Sequence, residues 1–133
     1  MFDLSGINWI AVIVGVVFSN VLGFLWYGPL FGKPWMAALG KRQEDMQSSP
    51  TMYVWTVVMS LITMIVLAAA VNAFGSAGVV QGAVLGLVLY VGLQGAATYI
   101  GTMFEGRSTT LWWINGLYNL VVFAVMGAVF AIW

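Results

Sequence analysis

The charged residues of this chain are so few, and so tightly grouped, that their spacing fixes the kind of fold open to it. Four Lys and Arg residues and four Asp and Glu residues are spread over 133 positions. Asp3 stands alone, Lys33, Lys41, Arg42, Glu44 and Asp45 form a second group, and Glu105 with Arg107 forms a third. The stretches between them, 4–32, 46–104 and 108–133, carry no charge. Crossing a hydrocarbon core of roughly 30 Å takes about 20 apolar residues in helical form. The first and last stretches therefore hold one span each, and the middle stretch holds two. The expected fold is an all-α integral membrane protein, a bundle of four transmembrane helices forming a single domain over 1–133.

Composition excludes more than it specifies. Hydrophobic residues make up 62% of the chain and charged residues 6%, against a soluble norm of about 25% charged. With zero net charge and no basic run, no nucleic-acid partner is expected. Cysteine and histidine are absent. That removes thiolate chemistry, haem ligation by His and most zinc sites, so neither a metal nor a cofactor is expected. A conventional catalytic triad is excluded too, and no convergent pair of acids appears, so the chain reads as no enzyme. The opening Met1-Phe2-Asp3-Leu4-Ser5 lacks the positive region of a cleavable signal. The first helix is expected to be kept as a span.

The spans are predicted at 7–27, 53–74, 79–103 and 111–133. Gly75, Ser76, Ala77 and Gly78 make a tight turn between the second and third. Ser49 followed by Pro50 suits the cap and first turn of the second helix, and Ser108, Thr109 or Thr110 suits the cap of the fourth. All four Lys and Arg residues lie in the loops after the first and third helices. Positive loops stay in the cytoplasm, which predicts both termini outside. Trp26, Tyr27, Trp35, Tyr53, Trp55, Trp112 and Trp113 then fall at the inner ends and Trp9 and Trp133 at the outer ends, where aromatic rings favour the headgroup level.

After the first helix the chain reads Trp26-Tyr27-Gly28-Pro29-Leu30-Phe31-Gly32-Lys33-Pro34-Trp35-Met36. Pro29 is expected to end the helix, because it has no N–H and its ring displaces the preceding turn. Pro34 suits the first turn of a short interfacial helix. Trp35, Met36 and Leu39 would rest on the membrane surface while Lys33 reaches lipid phosphates. This segment resembles the Trp-Tyr-Ser-Pro…Phe-Gly…Trp signature of the uncharacterised bacterial membrane family catalogued as domain of unknown function 1761. Trp26, Tyr27, Pro29, Phe31, Gly32 and Trp35 match it, and Gly28 stands where the family usually has serine. Phe104-Glu105-Gly106-Arg107, Ile114-Asn115, Tyr118, Met126-Gly127 and Trp133 extend the likeness over essentially the whole chain. The resemblance implies a four-helix fold and a multipass place in the bacterial inner (plasma) membrane. It implies no established activity.

Small residues recur at every fourth position: Gly15, Ser19 and Gly23 on the first helix, Gly82 and Gly86 on the third. In lipid, helices associate by close packing that small residues permit. These rows are expected to pack within the bundle, with self-association as a further use.

No charge lies deep in a span, which counts against proton pumps and ion-coupled transporters. Amides and hydroxyls stand there instead. Counted along each helix, Asn20, Ser60, Thr63, Gln94 and Asn119 fall in one layer about 10–15 Å from the cytoplasmic side. Tyr90, Gln94 and Thr98 form one row, Asn115 and Asn119 another. Such a layer is either cross-helix glue or the lining of a path for a small neutral or weakly polar solute, and the expectation is glue in a closed, dry core. Glu105 and Arg107 are expected at the interface, with Arg107 on an anionic group and Glu105 pairing with Lys33 or Arg42. The function expected first is that of a non-catalytic multipass protein that self-associates or serves in a larger assembly. Its partners would be membrane lipids and a second copy or other membrane proteins. A channel or transporter for a small neutral or weakly polar solute is the alternative.

Overall fold

The fourth and second helices start where serine can satisfy their free backbone donors. Ser49 Oγ accepts from the Met52 N–H at 3.3 Å, and Ser108 Oγ accepts from the Leu111 N–H at 3.4 Å. Asn8 does the same for the first helix, its Oδ1 accepting from the N–H groups of Ile10 and Ala11 at 3.1 and 3.2 Å. The structure, a computed structural model, describes residues 3–42, 44 and 49–133. Asp45 of the second charged group lies outside the described residues.

In chain order the elements are α1 (Trp9–Leu25), α2 (Gly32–Leu39), α3 (Pro50–Ala73), α4 (Val79–Tyr90), α5 (Ala96–Glu105) and α6 (Thr109–Ile132). A π-helical turn, Trp26–Leu30, prolongs α1, and a second, Val91–Gly95, joins α4 to α5 as one rod. Among the described residues, four helices are thereby long and apolar enough to cross a membrane: Trp9–Leu30, Pro50–Ala73, Val79–Glu105 and Thr109–Ile132. The protein is an all-α, multipass membrane protein. Below, the end of the bundle carrying Lys33, Arg42 and Arg107 is termed the charged end, and the opposite one the terminal end.

One expectation is corrected in the helices themselves. Pro29 does not end the first span. The helix widens around it, and the Phe31 N–H donates to the Trp26 carbonyl at 2.8 Å across five residues. The wider turn gives the ring room and passes over its missing donor. The third span widens likewise at Val91–Gly95, where the Ala96 N–H donates to the Val91 carbonyl. The short α2 then begins at Gly32, close under the Tyr27 carbonyl, and stops at Gly40, whose φ of 71° is cheap only for glycine.

The core occupies one half of the bundle. Ile7, Ala11 and Val12 meet Met64, Leu67, Ala68 and Val71 of α3 and Val122, Met126 and Phe130 of α6, all buried and all toward the terminal end. Gly15 sits against Met64 and Met126, so near that a Cβ there would stand 2.6 Å from the Met64 sulfur. On the other flank of α6, Gly82 and Gly86 lie directly on the backbone carbonyls of Gly127 and Phe123. There α4 and α6 pack backbone against backbone.

Toward the charged end the helices part. α3 leans on α1 and α6 and barely meets α4. Every residue at positions 50–59 is exposed on all sides of the helix, as are those at 96–100 on α5. α6 is the common wall, touching α1, α3, α4 and α5 along its length.

Candidate functional site

The site is built on the charged-end half of α6. There Asn115, Tyr118 and Asn119 share one face, as their i, i+3, i+4 spacing requires. The π turns of the first and third spans bring their own groups to this face. From the first, Trp26 donates its indole N–H to the Ile114 carbonyl at 3.0 Å, and the Tyr27 hydroxyl donates to Asn115 Oδ1 at 2.5 Å. Trp26 packs on Phe31 and Tyr118, and Tyr27 on Trp35 and Tyr118. These two rings were expected as membrane-surface anchors. They are cross-helix fasteners, half-buried and hydrogen-bonded to the fourth span.

Tyr118 reaches the opposite way. Its hydroxyl donates to the Ser19 carbonyl at 2.5 Å, and Gly23 lies 3.4 Å from that oxygen if given a Cβ. Gly23 is small because the tyrosine passes over it. Ser19 is buried and its Oγ donates to the Val16 carbonyl. Gly15, Ser19 and Gly23, like Gly82 and Gly86, thus face neighbours within the bundle.

Between α5 and α6 lies a cavity of about 470 Å³. Gln94, Thr98 and Thr102 line it from the third span, Asn115, Tyr118 and Asn119 from the fourth, and Tyr27 from the first. It reaches the surface at Glu105, Arg107 and Ser108. Along α6, the run from Ser108 to Asn119 is about 16 Å, half of a hydrocarbon core of roughly 30 Å. Its floor is Tyr90, 5% exposed, whose ring packs on Phe123 at 5.4 Å and whose hydroxyl lies beside Asn119. Past that floor comes the close glycine contact of α4 on α6. The cavity is closed toward the terminal end.

The polar layer does not form one network. Asn20 donates to its own helix at Val16 and across to Ser60 Oγ at 3.3 Å, a bond between the first and second spans. Ser60 and Thr63 donate to carbonyls four residues back. Both line a second cavity of about 420 Å³ between α3 and α6, which shares Tyr118 and Asn119 with the first. Asn119 donates to the Asn115 carbonyl at 2.9 Å. Among the described residues, the Gln94 carboxamide makes no hydrogen bond at all. The terminal half is closely packed, but the expected closed core does not extend to the charged half. The charged half holds space for several waters at about 30 Å³ each.

At the mouth, Arg107 Nε and Glu105 Oε2 are 2.7 Å apart, both largely exposed. Glu105 therefore takes Arg107 and not Lys33 or Arg42 as its partner, because the αL turn at Gly106 (φ 69°) folds the two side chains together. Arg42 lies 3.9 Å from Glu44. Lys33 is exposed on α2, and Pro29 stands inside the π turn.

Sequence reasoning passed over Thr102 and placed Trp112 only among the aromatics at the inner ends. Thr102 continues the four-residue row Tyr90, Gln94, Thr98, and extending the row would have found it. Trp112 donates its indole N–H to the Gly95 carbonyl and the Thr98 hydroxyl, at 3.3 and 3.1 Å. Nothing in its spacing signals that role.

A model of the family described as Protein of unknown function (DUF1761) matches residues 10–131. Neither a curated protein nor a solved structure matches the chain.

Proposed function

We propose, on the premise that this chain belongs to the DUF1761 family of unknown function, that it is a non-catalytic carrier taking a small uncharged polar solute into the cavity between its third and fourth spans. The observation behind this reading is the convergence of three carboxamides, Gln94, Asn115 and Asn119, on one 470 Å³ space entered past Glu105 and Arg107. An amide exposed to hydrocarbon without a partner costs several kcal/mol, so Gln94 belongs in contact with water or a ligand. Below the mouth the lining holds no charge. An ion there would lie unpaired in a low dielectric, whereas a neutral solute would not. The floor at Tyr90 favours a carrier over an open channel, since passage needs a second state in which α4 and α6 separate.

The chain has no native cysteine, so single reporters test this directly. In sealed proteoliposomes, Gln94→Cys should react with a membrane-impermeant thiol reagent from one side only. Val88→Cys, exposed on the packed half of the same rod, should face lipid and stay inert. A Gln94→Cys thiol that reacts from neither side would reject the cavity as an aqueous site.

Self-association is a second reading, favoured by the fully exposed positions 50–59 of α3. A second copy or another membrane protein would cover them. Placement in a bacterial inner membrane, with the charged end in the cytoplasm, completes the proposal. The mass of the complex extracted with its own lipids tests the oligomer.

A further inference from the structure

The free hydrogen-bonding capacity of the cavity narrows the solute class, resting on the reading just given. Most polar groups on its wall are already committed. Asn115 Oδ1 accepts from Tyr27, which leaves its two N–H donors. Asn119 donates one N–H to the Asn115 carbonyl, which leaves its Oδ1 as an acceptor. Thr98 Oγ1 donates to the Gln94 and Gly95 carbonyls, and Thr102 Oγ1 donates to the Thr98 carbonyl. Thr98 Oγ1 also accepts from the Trp112 indole, so these two hydroxyls offer a ligand no donor and only their remaining lone pairs. Gln94 brings a whole carboxamide, donor and acceptor together.

We infer that the ligand is a small uncharged polyhydroxylated molecule, read by Gln94, Asn115 and Asn119. A hydroxyl both donates and accepts at one atom, so neighbouring hydroxyls can meet the N–H and C=O ends of adjacent carboxamides at once. A quaternary ammonium ion would leave the Gln94 amide unsatisfied and find its only carboxylate, Glu105, already bonded to Arg107. Urea has no atom that both donates and accepts, so it cannot meet the N–H and C=O ends of adjacent carboxamides through one atom as a hydroxyl does. Size agrees, because 470 Å³ falls within the roughly 300–1,000 Å³ typical of small-molecule sites.

The reporter for the test is Gly101→Cys, since Gly101 lines the cavity and a Cβ there meets nothing within 4 Å. In detergent, its rate of labelling by a neutral thiol reagent is measured with ribitol, urea or tetramethylammonium added at equal osmolality. Ala77→Cys, in the exposed turn at the other end of the rod, controls for viscosity and osmotic effects. Saturating ribitol should slow labelling at Gly101→Cys about tenfold, a difference of about 1.4 kcal/mol, and leave Ala77→Cys unchanged. Protection by urea or tetramethylammonium instead, or by none of the three, overturns the ligand class while the aqueous cavity stands. If Gly101→Cys is labelled no faster than Val88→Cys, the cavity reading itself fails.

Discussion

Trp112 fastens the fourth span to the third at the point where the third span changes form, its indole N–H 3.3 Å from the Gly95 carbonyl and 3.1 Å from the Thr98 hydroxyl. Gly95 closes the π turn Val91–Gly95. A widened turn withdraws a carbonyl from the regular helical ladder, and such turns gather at functional sites. At its end the Gly95 carbonyl accepts from the Trp112 indole and from the Thr98 hydroxyl. The ring is held on Tyr99 and Trp113, each at 4.9 Å between centroids. One residue thus sets the spacing of α5 from α6, and so the width of the cavity.

Trp112→Phe keeps most of the ring contact and removes the donor. A lost cross-helix bond in a membrane protein averages about 0.6 kcal/mol and seldom exceeds about 2. The expected result is a small drop in thermal stability in detergent, with faster hydrogen exchange confined to α5. Exchange that quickens equally in α4 would show that the rod moves as a whole and that Val91–Gly95 is no joint.

The α4–α6 contact should tolerate nothing larger than glycine. A Cβ on Gly82 would fall on the Gly127 carbonyl and one on Gly86 on that of Phe123. Both obstacles are backbone and cannot rotate away. Gly86→Ala is therefore expected to cost more than about 1 kcal/mol, and Gly86→Leu to prevent assembly of the bundle. Gly101→Ala, with open space around it, should be neutral or stabilising by up to about 1 kcal/mol. Equal melting temperatures for the two alanine variants would contradict the contact.

These cases show what was legible in the sequence. Spans, the Ser49 and Ser108 caps, a short helix after the first span and the turn at Gly75 and Gly78 follow from charge spacing and local chemistry, and the structure has them. The glycine rows announced close packing, but only coordinates show that Gly82 meets backbone and leaves no room even for alanine. The layer of Asn20, Ser60, Thr63, Gln94 and Asn119 was visible as depth along single helices. Its division into an Asn20–Ser60 bond and a Gln94–Asn119 cavity depends on how far the helices splay. Splay follows from the balance of packing along α6, which periodicity does not record. The π turns were hidden for the same reason: Val91–Gly95 looks like any apolar helix in sequence.

Orientation is testable apart from function. With Lys33, Lys41, Arg42 and Arg107 at one end, the positive-inside rule places that end in the cytoplasm. A reporter active only in the cytoplasm should be active when inserted within 43–49 and silent when fused after Trp133. The opposite pattern would invert the bundle and turn the mouth of the cavity outward.

The ion pair at the mouth should govern entry more than stability. Glu105 and Arg107 are exposed, and such pairs contribute under about 1 kcal/mol. Arg107→Gln should leave the melting temperature nearly unchanged and free the Glu105 carboxylate. Labelling of Gly101→Cys by a cationic thiol reagent should then rise relative to an anionic one, and Glu105→Gln should shift the ratio the other way. A ratio indifferent to both changes would mean that solutes do not enter the cavity past this pair.

Gln94 separates a binding role from a structural one most cleanly. Every other carboxamide of the layer holds a bond: Asn20 to Ser60, Asn115 to Tyr27, Asn119 to the Asn115 carbonyl. Removing any of these leaves a partner unsatisfied, at about 1–3 kcal/mol where it is buried. Gln94→Leu leaves none, because the amide has no partner among the described residues. No buried bond is lost, so stability should hold. Protection of Gly101→Cys by ribitol should nevertheless disappear, while labelling in its absence continues. A stable variant that has lost its ligand is what a group kept for binding predicts. If Gln94→Leu lowers the melting temperature as far as Asn20→Leu does, Gln94 is part of the packing and its free amide is not the reader of the solute.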